Sequence, residues 1–173
     1  MRRLMLLRHA KADWPEGVAD HDRPLARRGQ RQAPEMARYM ASQGLVPDLV
    51  IVSTARRTQE TWQLIASAFP SGISQCNDAR IYEAPKNNIL RVIREADDSA
   101  RALLLIGHNP GFAEVANSLV KLEQSSAALS RLQRGYPTSG LAIMDFKVER
   151  WADIAEGSGR LERFETPASI GNE

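Results

Sequence analysis

The sequence predicts an α/β fold: a three-layer α/β/α sandwich around a mostly parallel sheet. Three short apolar runs support this prediction, at Leu4–Leu7, Leu49–Val52 and Ala102–Ile106, and each has the length of a buried strand. Segments with apolar residues at helical spacing separate the runs. Apolar strands that alternate with amphipathic helices are typical of a parallel sheet that is covered by helices on both faces.

The amino-terminal half is expected to contain two of these strands and two helices. A loop is predicted over residues 10–24, which are rich in Asp, Pro and Gly. The helix predicted over residues 27–43 has an apolar face made of Ala33, Met36, Ala37 and Met40. Pro34 should kink or delay that helix, because proline lacks an N–H group and crowds the preceding turn. After the strand at 48–53, Pro70 is expected to end a second helix, whose apolar stripe is Thr58, Trp62, Ile65 and Phe69.

The carboxy-terminal half continues the alternation of strands and helices and then ends in two strands without a predicted helix between them. A short strand is predicted at Arg80–Tyr82, and two helices are predicted from the apolar faces at 89–96 and 112–119. Two late strands are predicted at Leu141–Phe146 and Leu161–Thr166. We expect these two to pair antiparallel, because the segment between them is shorter than the dozen or so residues that a parallel crossover needs.

Composition narrows the classes of function. Residues 1–173 are expected to form a single domain, with a tail that is flexible after about residue 167. A formal net charge of only +2 argues against a nucleic-acid partner. No apolar run approaches the roughly 18 residues of a membrane helix, and Arg2-Arg3 is not followed by a signal-peptide pattern. The lone cysteine, Cys76, argues against an internal disulfide and a thiolate zinc site and favours a cytoplasmic protein.

Polar residues follow the predicted strands at the positions where ligands usually bind. His9 comes directly after the first strand, Arg56 and Arg57 follow the second, Glu83 follows the short strand, and His108 follows Ile106. In open α/β sheets, ligands bind outside the carboxyl ends of the strands. The sequence therefore predicts that these side chains converge on one edge of the sheet.

Histidines and arginines together on one edge suit a phosphoryl group. Arginine presents a planar fork of donors that matches phosphate oxygens, so Arg8, Arg57 and a second histidine can supply positive charge without a metal. Histidine can act as the nucleophile, and Glu83 is a candidate to protonate the leaving group. Each residue also has an ordinary interpretation as a surface or loop side chain, and His21 is expected to be solvated. The shared strand-end position favours the functional interpretation.

Four segments resemble motifs of one enzyme family. Leu7-Arg8-His9-Ala10 resembles the arginine-histidine signature of the histidine phosphatase superfamily, and residues 53–61 are similar to its second motif. In the register of that motif, Arg57 rather than Arg56 is the phosphate-binding arginine. Gly107-His108-Asn109-Pro110 resembles the motif that carries the second catalytic histidine, and residues 81–84 look like the segment that holds the proximal acid.

Further segments are similar to the short, SixA-type phosphohistidine phosphatases within that superfamily. Asp22-Arg23-Pro24-Leu25 with Gly29 resembles the start of their first helix, and Trp151, the turn near Gly159 and residues 164–167 also fit. The chain departs from the pattern at Ala26, where a capping threonine is common, and at Pro34. The departures affect the expected start of the helix and leave the chemistry unchanged.

The resemblance implies a phosphoglycerate mutase-like fold and a metal-independent phosphohistidine phosphatase that forms a covalent phospho-His9 intermediate and needs no cofactor. The expected catalytic residues are His9, Arg8, Arg57, His108 and Glu83; Arg8, Arg57 and His108 are also expected to bind phosphate, with Arg23 and Asn109 on a substrate rim. The expected partner is a phosphorylated protein of the histidine-phosphotransfer type, or else a small phosphoester, with no nucleic acid and no membrane. The alternatives are a small-molecule phosphomonoesterase, a mutase, a silent phosphate-binding protein and a metal hydrolase.

Overall fold

The computed structural model describes residues 1–171. Its strands are β1 (Arg2–Arg8), β2 (Leu49–Val52), β3 (Ser74–Asn77), β4 (Ala102–Gly107), β5 (Leu141–Phe146) and β6 (Arg160–Glu165). Its helices are α1 (Arg27–Ser42), α2 (Arg56–Ile65), α3 (Lys86–Arg94), α4 (Gly111–Leu119), α5 (Ala127–Arg134) and α6 (Pro167–Ile170).

All six strands belong to one sheet, in the order β3-β2-β4-β1-β5-β6. The first four strands pair in parallel, whereas β5 is antiparallel to both β1 and β6. This is the mostly parallel α/β architecture that the sequence predicts, and the antiparallel pairing of the two late strands is confirmed. Within the described residues, no helix is both long enough and apolar enough to cross a bilayer.

The alternation of side chains along β1 divides the core into two layers. Leu4 and Leu6 pack into a cluster with residues of α3, α4 and α5. Met5 and Leu7 point to the opposite face and pack into a second cluster with residues of α1 and α2. All four side chains are buried, and burial of one such side chain stabilises the fold by roughly 2 kcal/mol. The sheet is therefore covered on both faces and forms the middle layer.

The strand predicted at Arg80–Tyr82 is wrong. Residues Ala79–Ile81 form a 3-10 turn, in which the Asp78 carboxylate accepts a hydrogen bond from the backbone N–H of Arg80 at 2.9 Å. The true edge strand is β3, whose four residues are all exposed. An exposed polar edge strand has no apolar pattern by which the sequence could reveal it, while the buried side chain of Ile81 gave the turn the appearance of a strand.

The first two helices differ in detail from the prediction. Helix α1 runs without interruption through Pro34, so the proline does not delay its start at Arg27. Its N-cap, Ala26, makes no side-chain capping bond. Helix α2 ends at Ile65 and is followed by a 3-10 turn, so Phe69 is buried outside the helix although it continues the apolar stripe.

Two further helices were not predicted. Helix α5 lies in the stretch between the fourth predicted helix and β5, and the Ser126 hydroxyl caps it by accepting from the N–H of Leu129 at 3.1 Å. The segment expected to be a flexible tail forms α6, whose start is held by a capping box between Thr166 and Ser169. The last two positions of that tail, 172 and 173, lie outside the described residues.

Candidate active site

The carboxyl ends of β1, β2 and β4 meet at a concave cavity of about 360 Å³. The parallel strands end at the same edge, so residues far apart in sequence are brought together there. The seven residues predicted for the site all line this cavity: Arg8, His9, Arg23, Arg57, Glu83, His108 and Asn109. The other lining residues are Lys11, Ala12, Trp14, Asp20 and Thr138.

His9 is buried with one ring nitrogen already bonded. Its Nδ1 lies 2.7 Å from the carbonyl oxygen of Ala10. A carbonyl oxygen only accepts, so Nδ1 carries the hydrogen and Nε2 keeps its lone pair. Burial lowers the pKa of His9 to about 3 against the opposing effect of the Ala10 bond, and the charges of Arg57 and Arg8 lower it further. The ring is thus neutral at pH 7 and has a nitrogen able to act as a nucleophile.

His108 lies beside His9, with 5.3 Å between the ring centroids. Its Nε2 is 2.7 Å from the Ser53 hydroxyl, and its Nδ1 is buried without a hydrogen-bond partner among residues 1–171. Burial lowers the pKa of His108 to about 3, and His9 and Arg57 act in the same direction. The second histidine is therefore also neutral and has one unpartnered ring nitrogen.

The two adjacent arginines at the start of α2 differ sharply in burial. The Arg56 side chain is 56% exposed and pairs with Glu60 at 3.0 Å, one helical turn away. The Arg57 side chain is 4% exposed, and its two Nη atoms donate to the backbone oxygen and the carboxylate of Asp20 at 2.7 and 3.1 Å. Its Nε is buried and has no partner among the described residues. Only Arg57 presents its guanidinium to the cavity.

Arg8 adds a second cation beside Arg57. Its Nη1 donates to the carbonyl of Tyr136 at 2.9 Å, whereas its Nε is buried with no partner in the described part of the chain. Burial lowers the pKa of Arg8 from its ordinary high value, and repulsion from Arg57 lowers it further. An arginine remains charged even so. Two guanidinium groups thus face neutral histidines, an arrangement that suits an anionic ligand.

Asp20 organises the same side of the cavity. Its carboxylate accepts from Arg57, from the Arg23 Nη1 at 3.2 Å and from the Tyr82 hydroxyl in a short hydrogen bond. Burial acts to raise the pKa of Asp20, but the bonds from Tyr82 and Arg57 outweigh it and hold the pKa below its usual range. Asp20 is therefore ionised and fixes the direction of Arg57.

Glu83 stands at the mouth of the cavity. Its side chain is 57% exposed, and Oε1 lies 3.9 Å from Arg57 Nη2. The Asp20 carboxyl group beside it raises the pKa of Glu83, against the opposing charges of Arg57 and Arg23. Its backbone has φ of 45°, a left-handed conformation that costs a non-glycine residue about 1 kcal/mol. The protein thus places at this point of the rim a carboxyl whose pKa lies above its ordinary value.

The outer wall of the cavity is built by Trp14, Arg23 and Asn109. The Arg23 Cζ atom lies 3.2 Å from the centroid of the Trp14 ring, and Trp14 is nevertheless 73% exposed. Both polar atoms of the Asn109 amide are already hydrogen-bonded within the protein: Nδ2 donates to the carbonyl of Tyr136 at 2.8 Å, and Oδ1 accepts from the N–H of Ala113 at 3.2 Å. Trp14 is therefore a rim side chain that is available to a partner.

Comparison with known proteins identifies the family. A family model described as "Histidine phosphatase superfamily (branch 1)" matches residues 4–83. An uncharacterized protein of Mycobacterium tuberculosis is 33% identical over 162 residues, which are 93% of this chain and 99% of that protein. The chain belongs to the histidine phosphatase superfamily. An uncharacterized protein of Mycobacterium leprae, 30% identical over 165 residues, covers the same 93% of this histidine phosphatase.

Solved structures agree with the family. A crystal structure described as "putative phosphohistidine phosphatase SixA" from Agrobacterium tumefaciens has a TM-score of 0.80 and 32% identity, over 96% of this chain and 98% of that one. A second structure with the same description, from Nakamurella multipartitia, has a TM-score of 0.84 and 27% identity over 96% of both chains. This chain is thus a phosphatase with the phosphoglycerate mutase-like fold.

Sequence reasoning missed several residues of this histidine phosphatase site. Asp20 and Trp14 lie in the segment predicted as a loop, where acids and a single tryptophan carry no periodic signal. Tyr82 was assigned to a strand that does not form. The one available signal was the position of Asp20, which lies two residues before the segment 22–25 of recognised resemblance. His21, expected to be solvated, is 44% exposed but bonds Thr54 Oγ1 at 2.9 Å.

Proposed function

We propose that this phosphatase removes the phosphoryl group from a phosphohistidine on another protein, through a covalent phospho-His9 intermediate and without a metal. The observation that carries the proposal is the tautomer of His9. The Ala10 carbonyl holds the hydrogen on Nδ1, which leaves Nε2 as a neutral nucleophile inside a cavity lined by two arginines. A nucleophile with its lone pair already free needs no separate base to activate it.

The first step transfers the phosphoryl group to the protein. His9 Nε2 forms a bond to phosphorus while the bond from phosphorus to the substrate nitrogen breaks. The charge on the equatorial oxygens is neutralised by the guanidinium groups of Arg8 and Arg57, and His108 beside His9 is a candidate hydrogen-bond donor to the same oxygens. The leaving nitrogen takes a proton, for which Glu83 is the candidate donor because its pKa is raised.

The second step releases phosphate. A water molecule attacks phosphorus, the bond to His9 Nε2 breaks, and Glu83 returns as the base that accepts the water's proton. The same two arginines stabilise this transfer, because the transferring group carries the same charge in both steps. Among residues 1–171, no three His, Cys, Asp or Glu side chains are grouped as they would be for a metal ion.

The choice of a protein substrate is supported by the shape of the rim. The loop that carries Trp14 lines one part of the cavity, and from the stretch between α4 and β5 the lining includes Thr138 but no residue of α5. Enzymes that enclose a small metabolite commonly close a lid over it. An exposed tryptophan in the lining of the cavity suits contact with another protein's surface, since tryptophan is enriched among the residues that dominate protein interfaces. The likeness to structures described as SixA supports the same choice.

The test compares substrates and looks for the intermediate. We expect kcat/KM for a histidine-phosphotransfer domain phosphorylated on its histidine to exceed that for every small phosphomonoester in a panel, with activity retained in a chelator. Rapid quenching should trap an alkali-stable, acid-labile phosphate on His9. A metabolite that is turned over far more efficiently than any phosphohistidine protein would instead identify a small-molecule phosphomonoesterase. Loss of activity in chelator with rescue by zinc or magnesium would contradict the metal-independent mechanism.

A further inference from the structure

Positive charge is concentrated on one helix of this protein. Helix α1 contains four arginines and a single acid, Glu35, which gives its 16 residues a net charge of +3. The whole chain has a net charge of +2, so the remaining residues together carry −1. The arginines are Arg27, Arg28, Arg31 and Arg38. They are called the α1 basic face below.

The four arginines point to solvent. All four are exposed. At about 100° per residue, Arg27, Arg31 and Arg38 lie within roughly 40° of one another around the helix. Met36 and Met40, which are buried against the sheet, lie on the opposite side. Every ion pair within 4.0 Å in the described part of the chain involves other residues. Internal pairing therefore does not account for the α1 basic face.

Helix stability does not account for it either. Arg27 and Arg28 occupy the first turn, where the helix dipole favours acids and disfavours cations. That turn contains no acid, and its N-cap, Ala26, provides no side-chain hydrogen bond. These arginines are placed where they weaken the helix, which points to a role outside it.

The α1 basic face begins at the wall of the candidate active site. The backbone N–H of Ala26 donates to the carbonyl of Lys11 at 2.9 Å, and Lys11 lines the cavity. The approach is close enough that a Cβ on Gly29 would come within 2.2 Å of the same carbonyl oxygen, so only glycine fits there. Lys11 is exposed and adds a fifth cation between the cavity and the helix. Lys11 therefore connects the cavity wall to the first turn of α1.

We infer that the α1 basic face is a docking surface for an acidic patch on the phosphohistidine protein that this enzyme dephosphorylates; the inference rests on the function proposed above. A phosphorylated side chain that enters the cavity brings the surface around it against Lys11 and the first turns of α1. Complementary charge there would steer the partner and raise the rate of productive encounter. A protein is favoured over a nucleic acid, because this cluster of positive charge starts at the wall of the cavity, while the remaining residues of the chain together carry a net charge of −1.

The test replaces the four arginines with glutamine in one variant, R27Q/R28Q/R31Q/R38Q. None of them lines the cavity, so turnover of p-nitrophenyl phosphate should stay within about twofold of the wild type. We expect kcat/KM for a phosphorylated histidine-phosphotransfer domain with an acidic surface to fall about tenfold or more at low salt. The wild-type value should also fall as ionic strength rises to about 0.5 M, whereas the variant should show little dependence on salt.

The matched control removes four positive charges from a different part of the surface. Arg91, Arg101, Lys147 and Arg150 are exposed residues on α3 and on the edge of the sheet opposite the cavity, and their replacement by glutamine should leave both activities unchanged.

Equal kcat/KM for wild type and α1 variant on the phosphoprotein would overturn the docking surface and leave the proposed function intact. Equal losses from the α1 and control variants would also overturn it, because net charge alone would then explain the effect. A wild type that does not act on the phosphoprotein contradicts the proposed function itself. A loss of nucleic-acid binding by the α1 variant, with phosphoprotein turnover unchanged, would assign the face to a nucleic acid instead.

Discussion

At the edge of the sheet opposite the cavity, Arg3 donates two hydrogen bonds of 2.8 Å to the Asp145 carboxylate. The indole N–H of Trp151 donates to the carbonyl of Ala100 at 2.7 Å. At the cavity edge, four buried side-chain atoms have no partner among residues 1–171. They are Arg8 Nε, Arg57 Nε, His108 Nδ1 and Ser139 Oγ, and they are all the unpartnered buried side-chain nitrogen and oxygen atoms in that range.

The difference between the two edges shows that one edge of the sheet serves stability and the other serves function. An unpartnered buried polar group costs about 1–3 kcal/mol, so a protein keeps one only where it serves another purpose. The opposite edge completes its hydrogen bonds and contributes stability. At the cavity edge, four buried polar atoms lack a hydrogen-bond partner, and two histidines are kept neutral by burial. Both features lower the stability of the fold. Ser139 belongs to this set through its backbone, since its N–H donates to the carbonyls of Arg8 and His9.

The largest expected effect is the loss of activity when the nucleophile is removed. His9→Ala should lower kcat by roughly a thousandfold or more, because the proposed mechanism passes through phospho-His9. Steady-state turnover of p-nitrophenyl phosphate measures the loss, and circular dichroism checks that the fold remains. Wild-type turnover by this variant would show that His9 is not the nucleophile. It would also contradict the assignment of catalysis to the cavity edge of the sheet.

Burial of a neutral histidine at the cavity edge should make the folded protein less stable at acidic pH. The pKa of His9 is about 3 in the folded state and about 6.5 when unfolded, so below pH 6.5 the unfolded chain binds a proton that the folded chain does not. Stability must therefore fall as pH falls from 6.5 towards 3. Between pH 7 and pH 4, the free energy of unfolding should fall roughly 3 kcal/mol more for wild type than for His9→Gln.

Urea unfolding at a series of pH values measures that difference directly. His21→Gln is the matched control, because that ring is 44% exposed, and it should follow the wild-type curve. Parallel curves for wild type and His9→Gln would show that the buried histidine carries no such cost.

Adjacent arginines provide a sharper test within one turn of helix. Arg57→Ala should lower kcat/KM about a hundredfold, which is typical for losing an electrostatic contact to a transferring phosphoryl group. Arg56→Ala should change it less than about threefold, because its side chain is exposed and paired with Glu60. Comparable losses from both substitutions would mean that the register of the motif is wrong.

Glu83 should matter most when the leaving group is poor. Glu83→Gln should lower kcat for an alkyl phosphate about tenfold and for p-nitrophenyl phosphate by less than about twofold, because a poor leaving group needs the proton more. Alkyl phosphatase activity of the wild type should fall as pH rises through the pKa of Glu83, which Asp20 holds above its ordinary value. The variant should lack that fall. A uniform loss across substrates would point to a binding role.

The smallest expected effect belongs to the opposite edge. Asp145→Ala should lower the free energy of unfolding by about 1 kcal/mol, a modest value because the Arg3 side chain is 37% exposed. Its kcat should remain that of the wild type. Chemical denaturation and steady-state kinetics measure the two quantities on the same preparation. A drop in kcat of tenfold or more would mean that the two edges are coupled and cannot be described separately.

Most of the architecture could be predicted because burial leaves a pattern in the chain. Strands buried on both faces, such as β1 and β4, appear as continuous apolar runs, and α1 and α4 as stripes at helical spacing. Strand β3 could not be predicted, because an exposed edge strand is held by backbone hydrogen bonds that any polar sequence can make.

The candidate site also has features that the sequence determined and features that only the tertiary structure decided. By itself, the sequence determined that His9, Arg57 and His108 stand at the carboxyl ends of buried strands, and so that they meet, because parallel strands end at the same edge of the sheet. Glu83 reaches the site from a turn and not from the strand that was predicted before it. Only the tertiary structure decided the state of those groups. The Ala10 carbonyl selects the tautomer of His9, Asp20 selects the direction of Arg57, and burial sets the charge of both histidines. Hydrogen-bond direction and solvation depend on neighbours in space, and neighbours such as Asp20 and Tyr82 are supplied by segments without a periodic pattern.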